Sequence, residues 1–255
     1  YSSISDATGV VYATTFGVKT DGTNSSAELQ AAHDAAFLFV PKRPVILPAG
    51  SVRLNTTVNC KVPMRGSGGS TTRESETILF PGMSDGSPVL QYVAGSQYKD
   101  LRDFTIGRFN GSTVSVAQNC TGIKAGTFGG DPSGLGLATA VPVLYLENIR
   151  LIGMAVGIEA QGWLSTFKNV QAGLCGIGLK GEYMNSSSLE FRAFECGQAV
   201  QMKSSRVHFI ELYDEASATN RVAASTFDDC YDNLISYYYS EAAGTTSAIP
   251  WIRVG

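Results

Sequence analysis

Between residues 148 and 203 the apolar positions run at period two in short bursts on either side of small-residue turns, as in Ile149 and Leu151, then Val156 and Ile158. Alternation of this kind marks half-buried strands. The bursts repeat. The segments starting at Asn148, Asn169 and Glu190 align without gaps at a spacing of 21 residues. Matching offsets carry Asn148, Asn169 and Glu190; Ile149, Val170 and Phe191; Leu151, Ala172 and Ala193; Met154, Cys175 and Cys196; and Ile158, Leu179 and Val200. A strand-turn-strand unit this small cannot close a core alone. Copies stacked about 4.8 Å apart put equivalent side chains in ladders and bury a continuous apolar column. The pattern therefore predicts an all-β parallel β-solenoid. Met154, Cys175 and Cys196 are expected to stack in one ladder as soft core filler; Glu190, with Glu195 a further acidic candidate, takes the ladder position of the two asparagines and is expected to be a turn residue.

One segment breaks this pattern. Residues 25 to 40 predict a helix, with Ser25 as N-cap, Glu28 completing a capping box, and Leu29, Ala32, Ala36, Phe37 and Val40 at helical spacing. Pro41 and Pro44 stop it. Its Leu29, Ala32 and Ala36 face is expected to cover the open end of the apolar column, leaving His33 a structural role. "PVILPAGSVRL" and "TTVNCKVPMRG" read as short strands with tight turns, and "RGSGGSTT" as a turn, since it lacks the Gly-Lys-Ser/Thr ending of a phosphate loop. "YKDLRDFTIGRF" reads as a strand of an earlier coil, and the Gly-rich stretch near 110–140 as a loop insertion. The chain is thus expected to be a single domain over 1–255: a strand and capping helix over about 1–45, then coils over 46–255. The uncapped apolar run "IPWIRVG" leads us to expect more protein beyond it, or another subunit over that end.

Residues 16 to 82 carry a recognisable series: "TTFGVKTDG", "SSAELQAAHDAA", "VILPAGSVRL" and "MRGSGGSTTRESETILF". This resembles the N-terminal signature of the pectate-lyase-like right-handed parallel β-helix superfamily, particularly phage tailspike and tail-fibre proteins. "DLRDFTI" resembles the short strand openings common in these proteins, and "LISYYYSEAAG" resembles a Tyr-x-Glu-x-x-Gly stretch of their later coils. The resemblance implies a right-handed parallel β-helix capped by one N-terminal helix. It further implies a virion or extracellular setting, a bacterial surface polysaccharide as partner, homotrimers, and contact with other virion tail proteins. It transfers no catalytic set: of the polygalacturonase motifs only Asp228-Asp229 occurs, and no calcium-lyase grouping of Asp with Arg or Lys is found. Rival expectations are a secreted polysaccharide hydrolase or lyase acting alone and a non-catalytic adhesive solenoid.

Composition narrows the partners. The formal charge is −3 and only 16% of residues are charged, against roughly 25% in an average soluble domain. No basic surface for nucleic acid is expected, and no apolar run reaches the ~18 residues of a membrane span. Five cysteines without CxxC spacing and only two histidines, His33 and His208, suggest buried thiols. No metal site or cofactor is expected.

Glycoside hydrolysis needs two carboxyls facing each other across the scissile bond. The densest acidic group is "ELYDEA", giving Glu211, Asp214 and Glu215 as catalytic candidates. If 211 to 213 form a strand with Leu212 inward, Glu211 and Tyr213 face outward. Asp232 follows Glu211 by 21 residues and is the fourth candidate, expected one coil above. Tyr213, Tyr238 and Glu241 are the expected sugar-binding residues, the tyrosines by stacking.

Overall fold

The computed structural model describes residues 9–67, 76–92, 99–107, 109–110, 113–114, 118–126, 143–215, 225–231, 235–239 and 252–255. Two long sheets carry the fold, and neighbouring strands in each are parallel. The front sheet runs through Lys99–Gly107, Leu144–Ile152, Thr166–Gly173, Ser187–Phe194, Val207–Glu215 and Ile235–Tyr239. The back sheet runs through Pro88–Tyr92, Gln118–Ala125, Met154–Trp163, Ile177–Asn185, Gln198–Lys203 and Ser225–Asp228. The chain alternates between them, so each coil adds one strand to both.

The register is the one the repeat predicts. Ile149, Val170 and Phe191 are successive partners, as are Leu151, Ala172 and Ala193 in the front sheet, and Ile158, Leu179 and Val200 in the back sheet. All nine are buried. Stacking identical offsets lets each apolar side chain rest on its counterpart, which excludes water from a column that no single coil could close.

Corners are made by residues in the left-handed region, among them Asp103, Asn148 and Asn169, with φ of 62°, 54° and 52°. Short polar side chains tolerate that conformation best. Each such residue shifts the alternation by one place: Leu144 and Leu146 are buried, then Ile149 and Leu151. The front sheet is therefore two faces meeting at an edge. In earlier coils those faces are separate strands: Met64–Arg65 pairs with Leu101 and Arg102, while Thr77–Pro81 pairs with Thr105 and Ile106. Glu190 departs from the expected turn role. Ser187, Leu189, Phe191 and Ala193 are buried in unbroken alternation, so Glu190 is an ordinary outward strand residue and the corner has ended one coil below it.

The helix spans Ser26–Leu38 and buries Leu29, Ala32, His33 and Ala36 against the first coils, closing the column as predicted. The capping box does not form. Ser25 makes no capping bond; its hydroxyl accepts the Lys19 amide at 3.0 Å. Asn24 takes over, its Oδ1 accepting from the Ser26 amide and from the Asn55 amide. Val40 lies beyond the helix and is fully exposed, because a residue before proline avoids helical geometry. Within the stretch expected to be a loop insertion, Gln118–Ala125 is a back-sheet strand between Pro88–Tyr92 and Met154–Trp163. Residues 115–117 and 127–142, like most of "RGSGGSTT", lie outside the described residues.

All five cysteines are free, four of them buried. Cys120 Sγ lies 3.4 Å from Met154 Sδ, and the Gly176 and Gly197 amides donate to the Met154 and Cys175 carbonyls, stacking the predicted ladder. The hydrogen bond with Cys196 and burial raise the Cys175 thiol, and burial pushes Cys120 up to about 11. These sulfurs stay protonated and serve as packing.

Candidate functional site

Outward residues of the front sheet fall into rows that run along the solenoid. One row holds Arg102, Glu147 and Lys168, successive register partners. Arg102 Nη1 donates to Glu147 Oε2 at 2.8 Å and Lys168 Nζ to Glu147 Oε1 at 3.0 Å. Alternating sign along the row gives Glu147 a cation on either side. The Lys168 bond is the main cause holding the Glu147 carboxyl below the usual range.

The alternation fails farther along this side of the sheet. Glu190 and Glu211 are Cα partners on neighbouring strands, a like-charged pair where opposite charge would stabilise. Tyr213 Oη donates to Glu211 Oε1 at 2.8 Å, and the Arg192 guanidinium sits 5.0 Å from the Tyr213 ring centroid.

The corner row is a chain of amides. Gln171 Nε2 donates to Asn169 Oδ1, Asn169 Nδ2 to Asn148 Oδ1, and Asn148 Nδ2 to Asp103 Oδ1, at 3.2, 2.9 and 2.8 Å. Asp103 only accepts when ionised, and that fixes the direction of every donor behind it.

Beside this chain lies the row Thr105, Arg150, Gln171, Arg192 and Tyr213. Two adjoining cavities open over it. The first, about 190 Å³, is lined by Glu76, Thr105, Asn148, Arg150, Asn169 and Gln171. The second, about 320 Å³, is lined by Arg150, Ile152, Gln171, Gly173, Arg192 and Phe194. Arg150 and Gln171 border both, so the pair forms one trough across four strands, roughly 14 Å at about 4.8 Å per step. At its first end Glu76 is only 4% exposed and accepts the Thr105 hydroxyl. At the other, Phe194 is 48% exposed beside Gly173.

Of the residues singled out from sequence, Glu211 and Tyr213 do face outward and touch each other, with Leu212 fully buried between them. Asp214 occupies the register position of the buried Ala193, and Glu215 that of Phe194. Tyr238 is the Cα partner of Tyr213. Asp232 and Glu241 lie outside the described residues. The Cα partner of Glu211 is Ser236, not the residue 21 places on, because the coil that follows is longer than 21 residues. Glu190 is the carboxylate that stands beside Glu211. Sequence reasoning passed over Glu76, Arg150, Gln171, Arg192 and Phe194. A signal existed for three of them, since Arg150, Gln171 and Arg192 recur at the repeat spacing just as the apolar positions do.

No family model matches the chain, and no curated protein matches it. Solved structures do. The A-module of the mannuronan C-5 epimerase AlgE6 of Azotobacter vinelandii is 14% identical, with a TM-score of 0.52 over 95% of this chain and 79% of that one. The AlgE4 A-module from the same organism is 14% identical, with a TM-score of 0.47 over 89% of this chain and 88% of that one. The tailspike protein of an Acinetobacter phage is 12% identical, with a TM-score of 0.45 over 98% of this chain and 59% of that one. These neighbours are right-handed parallel β-helices. At such identities the likeness concerns architecture, and the fold of this chain is a right-handed parallel β-helix closed at one end by the α-helix Ser26–Leu38.

Proposed function

We propose that this chain is a tailspike-like or tail-fibre-like β-helix that recognises a bacterial surface polysaccharide along the outer face of its front sheet. The trough carries this reading. It is open, linear and aligned with the stacking axis, and it offers amides, guanidinium groups and an exposed ring, the mixture that hydrogen-bonds sugar hydroxyls and packs on sugar faces. Named activity on a polysaccharide, mannuronan, belongs to a neighbour of the same fold and agrees with it. A homotrimer in a virion tail, with the other tail proteins as its contacts, is the assembly this reading implies. Affinity electrophoresis of the purified chain through gels containing bacterial surface polysaccharides tests it. Retardation by at least one polymer is expected, and free migration through every gel overturns the reading.

One observation favours cleavage as well as binding. Glu190 and Glu211 are Cα partners on neighbouring strands, close enough for their side chains to reach the roughly 5–5.5 Å carboxyl separation of retaining glycosidases. Tyr213 orients Glu211 as the nucleophile, which would form a glycosyl-enzyme ester while Glu190 protonates the leaving oxygen. Water, deprotonated by Glu190, then releases the sugar. New reducing ends in a retained polymer, absent with Glu190→Gln or Glu211→Gln, are the expected result; retention without shortening leaves an adhesive solenoid.

A further inference from the structure

Resting on the polysaccharide reading, we infer that the trough selects an anionic glycan, with carboxylates on alternate sugars gripped by Arg150 and Arg192. The two side chains belong to one outward row, with Gln171 between them. They stand two strand steps apart, about 10 Å. Both are exposed, and neither has a carboxylate partner among the described residues. Every other cation described on the neighbouring row is paired: Arg65 and Arg102 with Asp100, Lys168 with Glu147. Arg192 has only the Tyr213 ring face beside it, so neither guanidinium charge on this row is neutralised by an acid.

The cavity they share supplies the rest of a sugar subsite. Its lining contains no carboxylate. Its floor is Gly173, where an added Cβ would come no nearer than 3.5 Å to another atom, the Phe194 ring edge. Ile152 and Phe194 flank that gap, leaving a flat apolar place for a ring face with a cation on either side. Glu190 and Glu211 belong to the adjoining row, with Lys168 and Tyr213 beside them, and stay clear of this cavity. A sugar chain laid along the stacking axis advances about one ring per strand step, so alternate rings meet Arg150 and Arg192. The guanidinium fork matches a carboxylate with two parallel hydrogen bonds, which a neutral hydroxyl cannot return.

The experiment is an array of structurally defined bacterial surface polysaccharides, anionic and neutral, probed with the intact chain and with variants. Bound members are expected to be anionic, with affinity falling as salt is added. Arg150→Gln and Arg192→Gln should each weaken binding about tenfold with an unchanged melting temperature. Gly173→Val, which fills the floor with a residue suited to a strand, should weaken it likewise. Binding confined to neutral polymers, or an Arg150→Gln/Arg192→Gln double variant with undiminished affinity, overturns the inference and leaves the polysaccharide reading standing. Unchanged binding by Gly173→Val overturns the placement in this cavity. Binding to no polysaccharide removes the functional reading itself.

Discussion

The outer faces of the two sheets are built on the same parallel register, yet one row of the front sheet treats charge differently from the row described on the back. On the back sheet, Lys124, Glu159 and Lys180 are successive register partners. Both lysines reach the one carboxylate, at 3.3 and 3.0 Å, and Glu159 is 8% exposed. That row is closed to ligands because its charges answer each other. On the front sheet, the row of Arg150, Gln171 and Arg192 has no acid in it, and the next row sets Glu190 against Glu211. A solenoid stacks like on like wherever a repeat is copied, so an unanswered charge is amplified coil by coil unless alternation breaks it. The back row and the front row through Glu147 are organised for stability, and the front row of Arg150 and Arg192 retains charge that a ligand can satisfy.

Acid should test how far both faces depend on the cap beneath them, and gives the largest effect. His33 is fully buried with neither ring nitrogen hydrogen-bonded, and desolvation lowers its pKa to about 4. The unfolded chain therefore binds the proton first. Stability falls as pH drops below about 6.5, and the loss is complete near pH 4, at about 3 kcal/mol. His33→Leu should melt at a temperature far less sensitive to pH over that window. If wild type and variant melt in parallel from pH 7 to 4, the cap is not the acid-labile part.

Next in size is the closed back row. Glu159→Gln leaves two lysines facing a neutral amide and should cost about 1–2 kcal/mol, read as a lower denaturation midpoint. Arg150→Ala, on the open row, should stay within about 0.5 kcal/mol. Equal losses at the two positions would abolish the distinction between a structural and a binding face.

How much of this was legible in the sequence depended on which rows were read. Ile149, Val170 and Phe191 announced the stack because burial tolerates only apolar residues, and the cap followed from Leu29, Ala32 and Ala36. The capping bond was misassigned because Ser25 and Asn24 are equally good acceptors, and only the position of Asn55 from a later coil decides between them. Glu211 and Tyr213 were found from local acidity and alternation. Glu190 was set aside as a turn residue, not read as the partner of Glu211, because a left-handed corner at Asn148 and Asn169 gives way to a straight strand at the same offset. Glu76 meets Thr105 only through folding, and no spacing rule connects them.

The smallest effect carries the sharpest sign. Glu211→Gln removes one of two like charges on directly paired strands, and the amide oxygen can still accept the Tyr213 hydroxyl. Relief of repulsion should raise stability by about 0.5 kcal/mol, the opposite of what the same acid-to-amide change does at Glu159. Raising salt screens the repulsion and should shrink the gain. A stabilised Glu211→Gln that no longer shortens a bound polymer would show the front face holding two carboxylates together for chemistry at the expense of the fold. A destabilised one would mean that Glu190 and Glu211 are answered by charge already in the protein, and the contrast between the faces would then rest on the arginine row alone.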